Sequence, residues 1–240
     1  MSANAPFWDA GITGRGQVVG SGDTGADRRN CYLSAATKFT MYRGIVMENG
    51  TLNEADDDDG HGTHVCGSIA GFSGTSGSAD RNGEHNGVAK DARLAFTDLA
   101  GADGDLVNTD NMGSDYYQHA YDAGARIHSD SWGYSGYSSK SYSSTTYQVD
   151  EFAAANPLFL PMFAVGNTGD DTTTGVDTYG APTGERQEHP GHWRHAVLQL
   201  GAAYLPDGRY QDVECGDRRT GCQALGARQH SRHKLSCGRV

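Results

Sequence analysis

The chain has 240 residues, 36% of them hydrophobic and 20% charged, with 34 glycines, which suits one turn-rich globular domain with a well-filled core. Its formal net charge of -11 argues against a nucleic-acid binder, whose phosphate-facing surface has to be basic, and no apolar run approaches the roughly 18 residues of a membrane span. The charge is uneven: residues 1–180 carry 24 acidic and 10 basic side chains, whereas residues 181–240 carry 6 and 9, with five of the ten histidines and three of the five cysteines.

The opening stretch MSANAPFWDAGITGRG has no basic region followed by an apolar one, so it does not read as a signal peptide. Residues 16–22 (GQVVGSG) predict a short buried strand ending in a glycine-rich turn, with Asp23 at its C-terminal end. A polar loop with Glu54 and Asp56 to Asp59 follows, then GHGTHVCGSIAGF, whose small residues with Val65 and Ile69 predict a tightly packed helix over 61–71. A strand is expected over 92–101, a helix over 110–125 stopped at Gly124, and a strand over 126–133. A helix over 147–157 ends at Pro157 and leads into a nearly all-apolar strand over 158–167. Alternating strands and helices predict a mainly parallel sheet covered on both faces, with functional residues at the C-terminal strand ends. Asp23, Ser131 to Gly133 and Asn167 all fall at such ends.

QVVGSGDTGAD, residues 17–27, admits three chemistries. Gly20, Gly22 and Gly25 have the spacing of a dinucleotide-binding turn, with Glu48 where a ribose-binding acid is sought. No helix begins at the third glycine, however, and Asp23 would face the pyrophosphate. Asp23-Thr24-Gly25 also matches an aspartic-protease half-site, but that chemistry needs a second such carboxylate on an all-β scaffold, and VDTYG at 176–180 is no second copy. The third reading makes Asp23 the acidic member of a serine-protease triad, which requires a histidine elsewhere. DGHGTHVCGSIAG supplies one.

Four motifs in order, Asp23-Thr24-Gly25, His61-Gly62-Thr63-His64-Val65, Ser131-Trp132-Gly133 and FAVGNTG around Asn167, resemble the subtilisin-like serine proteases. QHAYDAGARIHSDSWG further resembles the large alkaline, oxidation-resistant branch, and the resemblance is seen from residue 14 to about 182. It implies a three-layer α/β/α fold with a mainly parallel sheet, truncated at its C-terminus, and a serine endopeptidase working through an acyl-enzyme. By motif position it carries the general base over to His61, the orienting acid to Asp23 and the side-chain donor of the oxyanion hole to Asn167. Ser131, Trp132 and Gly133 become the strand that pairs with an extended polypeptide substrate. His64 is then a packed partner of the fold, and Ser131 lines a pocket and is not the nucleophile. The resemblance implies secretion, a monomer, and no membrane or nucleic-acid partner.

No cofactor is required for this chemistry. The carboxylates of Asp56 to Asp59 have the oxygen chemistry of a structural calcium site, but a solvated charge run is the preferred reading. Cys66 reads as a buried thiol, and the five irregularly spaced cysteines as neither a disulfide framework nor a zinc site.

The expected nucleophile is missing: no Gly-Thr-Ser motif follows Asn167, so the chain is expected to be inactive. Reading TGERQEHPGHWRH (183–195) one base later permits Pro-Ala-Asn-Ala-Lys-Asn-Ile-Leu-Val-Thr-Gly-Ala-Thr, a family-like string, and Asp217 to Ala224 read so permits Thr-Asp-Gly-Arg and then Lys-Pro. The domain reading is therefore a partial peptidase domain over 1–182 and an out-of-frame or disordered tail over 183–240, with a frame change placed near Pro182. A non-catalytic peptide-binding pseudoprotease is the alternative.

Overall fold

The computed structural model describes residues 6–45, 57–73, 85–101, 106–107, 109–135 and 142–164, together with a few short strands outside these ranges. In chain order the elements are α1 (Pro6–Asp9), β1 (Val18–Asp23), β2 (Phe39–Gly44), the hairpin pair β3 (Met47–Glu48) and β4 (Thr51–Leu52), α2 (His61–Ala70) and β5 (Arg93–Asp98). A π-helical segment, Met112–Tyr117, then runs into α3 (Gln118–Asp122), followed by β6 (Ile127–Asp130), β7 (Tyr134–Ser135), α4 (Ser144–Ala155), β8 (Leu160–Phe163), β9 (Tyr179–Gly180), β10 (Val213–Cys215) and β11 (Cys222–Ala224).

Five strands form one parallel sheet in the order β2-β5-β1-β6-β8. Alternation along β1 separates its two faces. Val19 packs with Leu94, Phe96, Val65, Cys66 and Ile69 under α2, whereas Gly20 and Gly22 lie against the rings of His128 and Tyr116 on the opposite side. On that second face, Tyr116, Tyr117, Val149, Phe152, Phe159 and Phe163 form an aromatic core under the π-helical segment and α4. The sheet is thus sandwiched between helices, and the expected three-layer α/β/α architecture is present.

The glycine spacing that imitates a nucleotide fingerprint has a packing cause. A Cβ on Gly22 would sit 2.1 Å from the Tyr116 hydroxyl, and one on Gly20 would sit 2.3 Å from the His128 ring. Gly25 takes a left-handed φ of 115° in the turn after β1. Two of the three glycines therefore make room for aromatic rings, and the third makes the turn.

Two elements depart from expectation. β2, where no element was expected, pairs with β5 from Phe39 to Gly44. Its start is held by Lys38, whose buried ammonium donates to the carbonyls of Ala70, Lys90 and Ala92 at 2.7, 2.9 and 3.1 Å. The helix expected over 110–125 begins as a π-turn, which lets the consecutive Tyr116 and Tyr117 both bury completely. Cys66 is a free, fully buried thiol as expected, whereas Cys31 is disulfide-bonded, so the cysteines are not all thiols.

Candidate active site

β1 ends at Asp23, whose side chain is wholly buried, and α2 begins at His61. Their side chains meet, with His61 Nδ1 2.6 Å from Asp23 Oδ1. Since a carboxylate can only accept, Nδ1 carries the proton and Nε2 keeps its lone pair, the tautomer a general base needs. The imidazole is 47% exposed, so a reactant can reach it from solvent. The hydrogen bond donated to Asp23 is the main cause that raises the His61 pKa above its ordinary value, against the opposing effect of burial. Asp23 Oδ1 also accepts the Thr24 amide at 2.8 Å, while its buried Oδ2 has no partner among the described residues.

The approach of helix to strand end depends on missing side chains. A Cβ on Gly62 would lie 2.0 Å from the Gly25 carbonyl oxygen and 2.9 Å from Asp23 Cβ. Gly60, the residue before α2, has a φ of 90° and offers no capping side chain. The amide of Gly62 instead donates to Thr24 Oγ1 at 3.0 Å, and that of Thr63 to Asp57 Oδ2 at 2.7 Å. Asp57 Oδ1 further accepts from Thr24 Oγ1 and from the Gly60 amide, both at 2.9 Å.

Asp57 was therefore misread within a solvated charge run, although Asp58 and Asp59 are indeed exposed. A run of aspartates hides an inward member; the signal lies in position, since Asp57 precedes the Gly60 turn by three residues and its carboxylate can accept from the Gly60 amide. Burial raises the Asp57 pKa, partly offset by its hydrogen bonds from Thr63, Gly60 and Thr24. Among the described residues, no cluster of His, Cys, Asp and Glu has the arrangement of a metal site. His64, one turn along α2, is half-buried.

Ser131, Trp132 and Gly133 follow β6 directly, with Ser131 and Trp132 half-buried and Gly133 exposed. The Trp132 ring packs edge-on against Phe163 at 5.5 Å and Tyr116 at 6.1 Å. Leu99, Leu106, Met112, Tyr116 and Trp132 line an apolar cavity at this point. Below the segment, Asp130 is held by Tyr116 Oη at 2.5 Å, by Tyr117 Oη at 3.4 Å and by His128 Nδ1 at 3.1 Å. Burial, and after it the Asp130 charge, raises the Tyr116 pKa well above its ordinary value, so Tyr116 remains a donor. Asn167 lies outside the described residues.

Comparison with known proteins gives this geometry a family context. The family model described as "Subtilase family" matches residues 14–203. The match extends beyond Pro182. The chain is 38% identical over 172 residues to the serine protease/ABC transporter B family protein tagD of Dictyostelium discoideum, an alignment covering 66% of this chain and 9% of that protein. It is 31% identical over 169 residues to tagA of the same organism, covering 69% and 9%. The chain thus spans about a tenth of the length of these relatives. Among solved structures, the CspB protease of Clostridium perfringens superposes with a TM-score of 0.52 at 18% identity, covering 70% of this chain and 40% of that one. The subtilisin-like protease Apa1 of the Antarctic psychrotroph Pseudoalteromonas sp. AS-11 superposes at 0.50 with 21% identity, covering 74% and 37%.

Proposed function

Because this chain belongs to the subtilase family, we propose that it carries the acid and base of a serine endopeptidase, with His61 as general base and Asp23 as the group that orients it. The observation that carries this reading is the 2.6 Å hydrogen bond between a wholly buried carboxylate at a strand end and a half-exposed imidazole at a helix start. In that role His61 takes the proton of a serine hydroxyl as it attacks a peptide carbonyl, and later returns it to the leaving amine. Asp23 stabilises the imidazolium without itself taking the proton. Asn167 supplies a side-chain donor to the developing oxyanion, and Ser131 to Gly133 hold an extended polypeptide by backbone pairing. On this reading the family's reaction takes place outside the cytosol, as for subtilases commonly, with an extended polypeptide bound by a monomeric chain. It needs no cofactor for the reaction itself.

No Gly-Thr-Ser motif follows Asn167 within these 240 residues, so the chain by itself does not turn over substrate. A serine-directed phosphonate is expected to leave it unlabelled, as followed by intact mass; stoichiometric labelling would overturn the inactivity. A second reading, a peptide-binding pseudoprotease, draws on the same missing motif alongside an intact Ser131–Gly133 segment. Saturable binding of an extended peptide by a chain encoded in an uninterrupted reading frame favours it.

A further inference from the structure

We propose that Asp57 is a positioning residue for the Asp23–His61 pair: its carboxylate fastens the turn after β1 to the first turn of α2 and so sets the gap across which the two side chains meet. The proposal rests on His61 acting as the base. Asp23 and His61 stand 38 residues apart on different elements, and the hydrogen bond between them survives only if strand end and helix start are held to within a few tenths of an ångström. The helix cannot do this alone, because Gly60 provides no side-chain cap.

Asp57 supplies the connection. It accepts from Thr24 Oγ1 at 2.9 Å on the strand side and from the amides of Gly60 at 2.9 Å and Thr63 at 2.7 Å on the helix side. Both threonines extend the bridge. Thr24 Oγ1 accepts the Gly62 amide at 3.0 Å, and Thr63 Oγ1 accepts the Asp27 amide at 2.8 Å. Three hydrogen bonds therefore cross from the turn after Asp23 to residues on either side of His61, and two more tie Asp57 to the start of α2. The steric fit is equally close, since a Cβ on Gly25 would lie 3.0 Å from Asp57 Cα. The donor pattern calls for a carboxylate: an asparagine amide group in the same place turns an N–H toward another N–H or O–H.

The test is proton NMR of the 240-residue chain, reading the low-field Nδ1 proton of His61 and the His61 titration midpoint, with Asp23→Asn as the reference for a broken pair. Asp57→Asn is expected to abolish the low-field resonance while the chain stays folded. The acidic groups acting on His61 are Asp23 from β1 and Asp57 and Asp59 from the segment before α2. Removing the Asp57 charge therefore lowers the midpoint by field alone, and an uncharged pair of variants separates field from position. Thr24→Val breaks the bridge without changing charge and is expected to lose the resonance, whereas Thr24→Ser keeps the hydroxyl and is expected to retain it. The Thr24 pair also decides the matter if Asp57→Asn fails to fold. A resonance and midpoint unchanged in folded Asp57→Asn, or equal in Thr24→Val and Thr24→Ser, overturns the proposal. A wild-type chain in which the resonance is absent, or insensitive to Asp23→Asn, overturns the underlying base reading instead.

Discussion

At the residue scale, the His61–Asp23 pair couples protonation to folding with a definite sign. The folded pKa of His61 lies above its ordinary value of 6.5, so the pair's contribution to stability is fully present below that value and is lost as pH rises through the raised one. Melting temperature is therefore expected to fall across a window beginning near neutrality, and Asp23→Asn to flatten that slope. The imidazole's exposure keeps the effect small. Gly22 gives a steric prediction. Gly22→Ala drives a methyl to within 2.1 Å of the Tyr116 hydroxyl and is expected to cost about 1 to 3 kcal/mol in urea unfolding. That glycine was legible in the sequence as a turn signal, but its reason was not, because Tyr116 lies far along the chain. Asp23 and His61 were legible because each sits in a short motif whose backbone is fixed locally. Asp57 was not, because a solvated aspartate and one bonded to helix amides look alike in a run of four.

At the element scale, β5 and β8 were legible and β2 was not. β8 is an apolar run and β5 is buried throughout after Arg93, whereas β2 is mostly half-buried and reveals itself only by pairing with β5. Helix α4 carries its own start signal, expected three residues later than it occurs. Ser143 accepts the Thr146 amide at 3.2 Å while the Thr146 hydroxyl accepts the Ser143 amide at 3.4 Å, a reciprocal cap ahead of the helix. Ser143→Ala is expected to lower stability by about 1 kcal/mol, measurable as a shift in the urea midpoint without a change in slope. Because α4 packs on the π-helical segment that bears Tyr116, loosening it is felt beneath Trp132.

At the scale of the whole molecule, the layered architecture and its site at the C-terminal strand ends were legible from the alternation of strands and helices. How far the family segment continues in this frame was less legible, because the residues after Pro182 carry no family motif as written. The family match itself runs to residue 203. Sequencing the coding DNA is expected to show that a single-base change near codon 182 opens a frame containing Gly-Thr-Ser-Met-Ala downstream; its absence from every downstream frame removes the frameshift account.

The ammonium of Lys38, set among three carbonyl oxygens where β2 starts and α2 ends, has a consequence for how this corner answers to its surroundings. Carbonyl oxygens converging on one point make a receptor for a dissolved ion, whose occupancy follows concentration and is stripped by chelators. Here the cation is tethered to the backbone by its own hydrocarbon stem, so its local concentration does not depend on the medium. Dilution, dialysis and chelation leave this joint untouched, and whatever mineral requirement the protein has arises elsewhere.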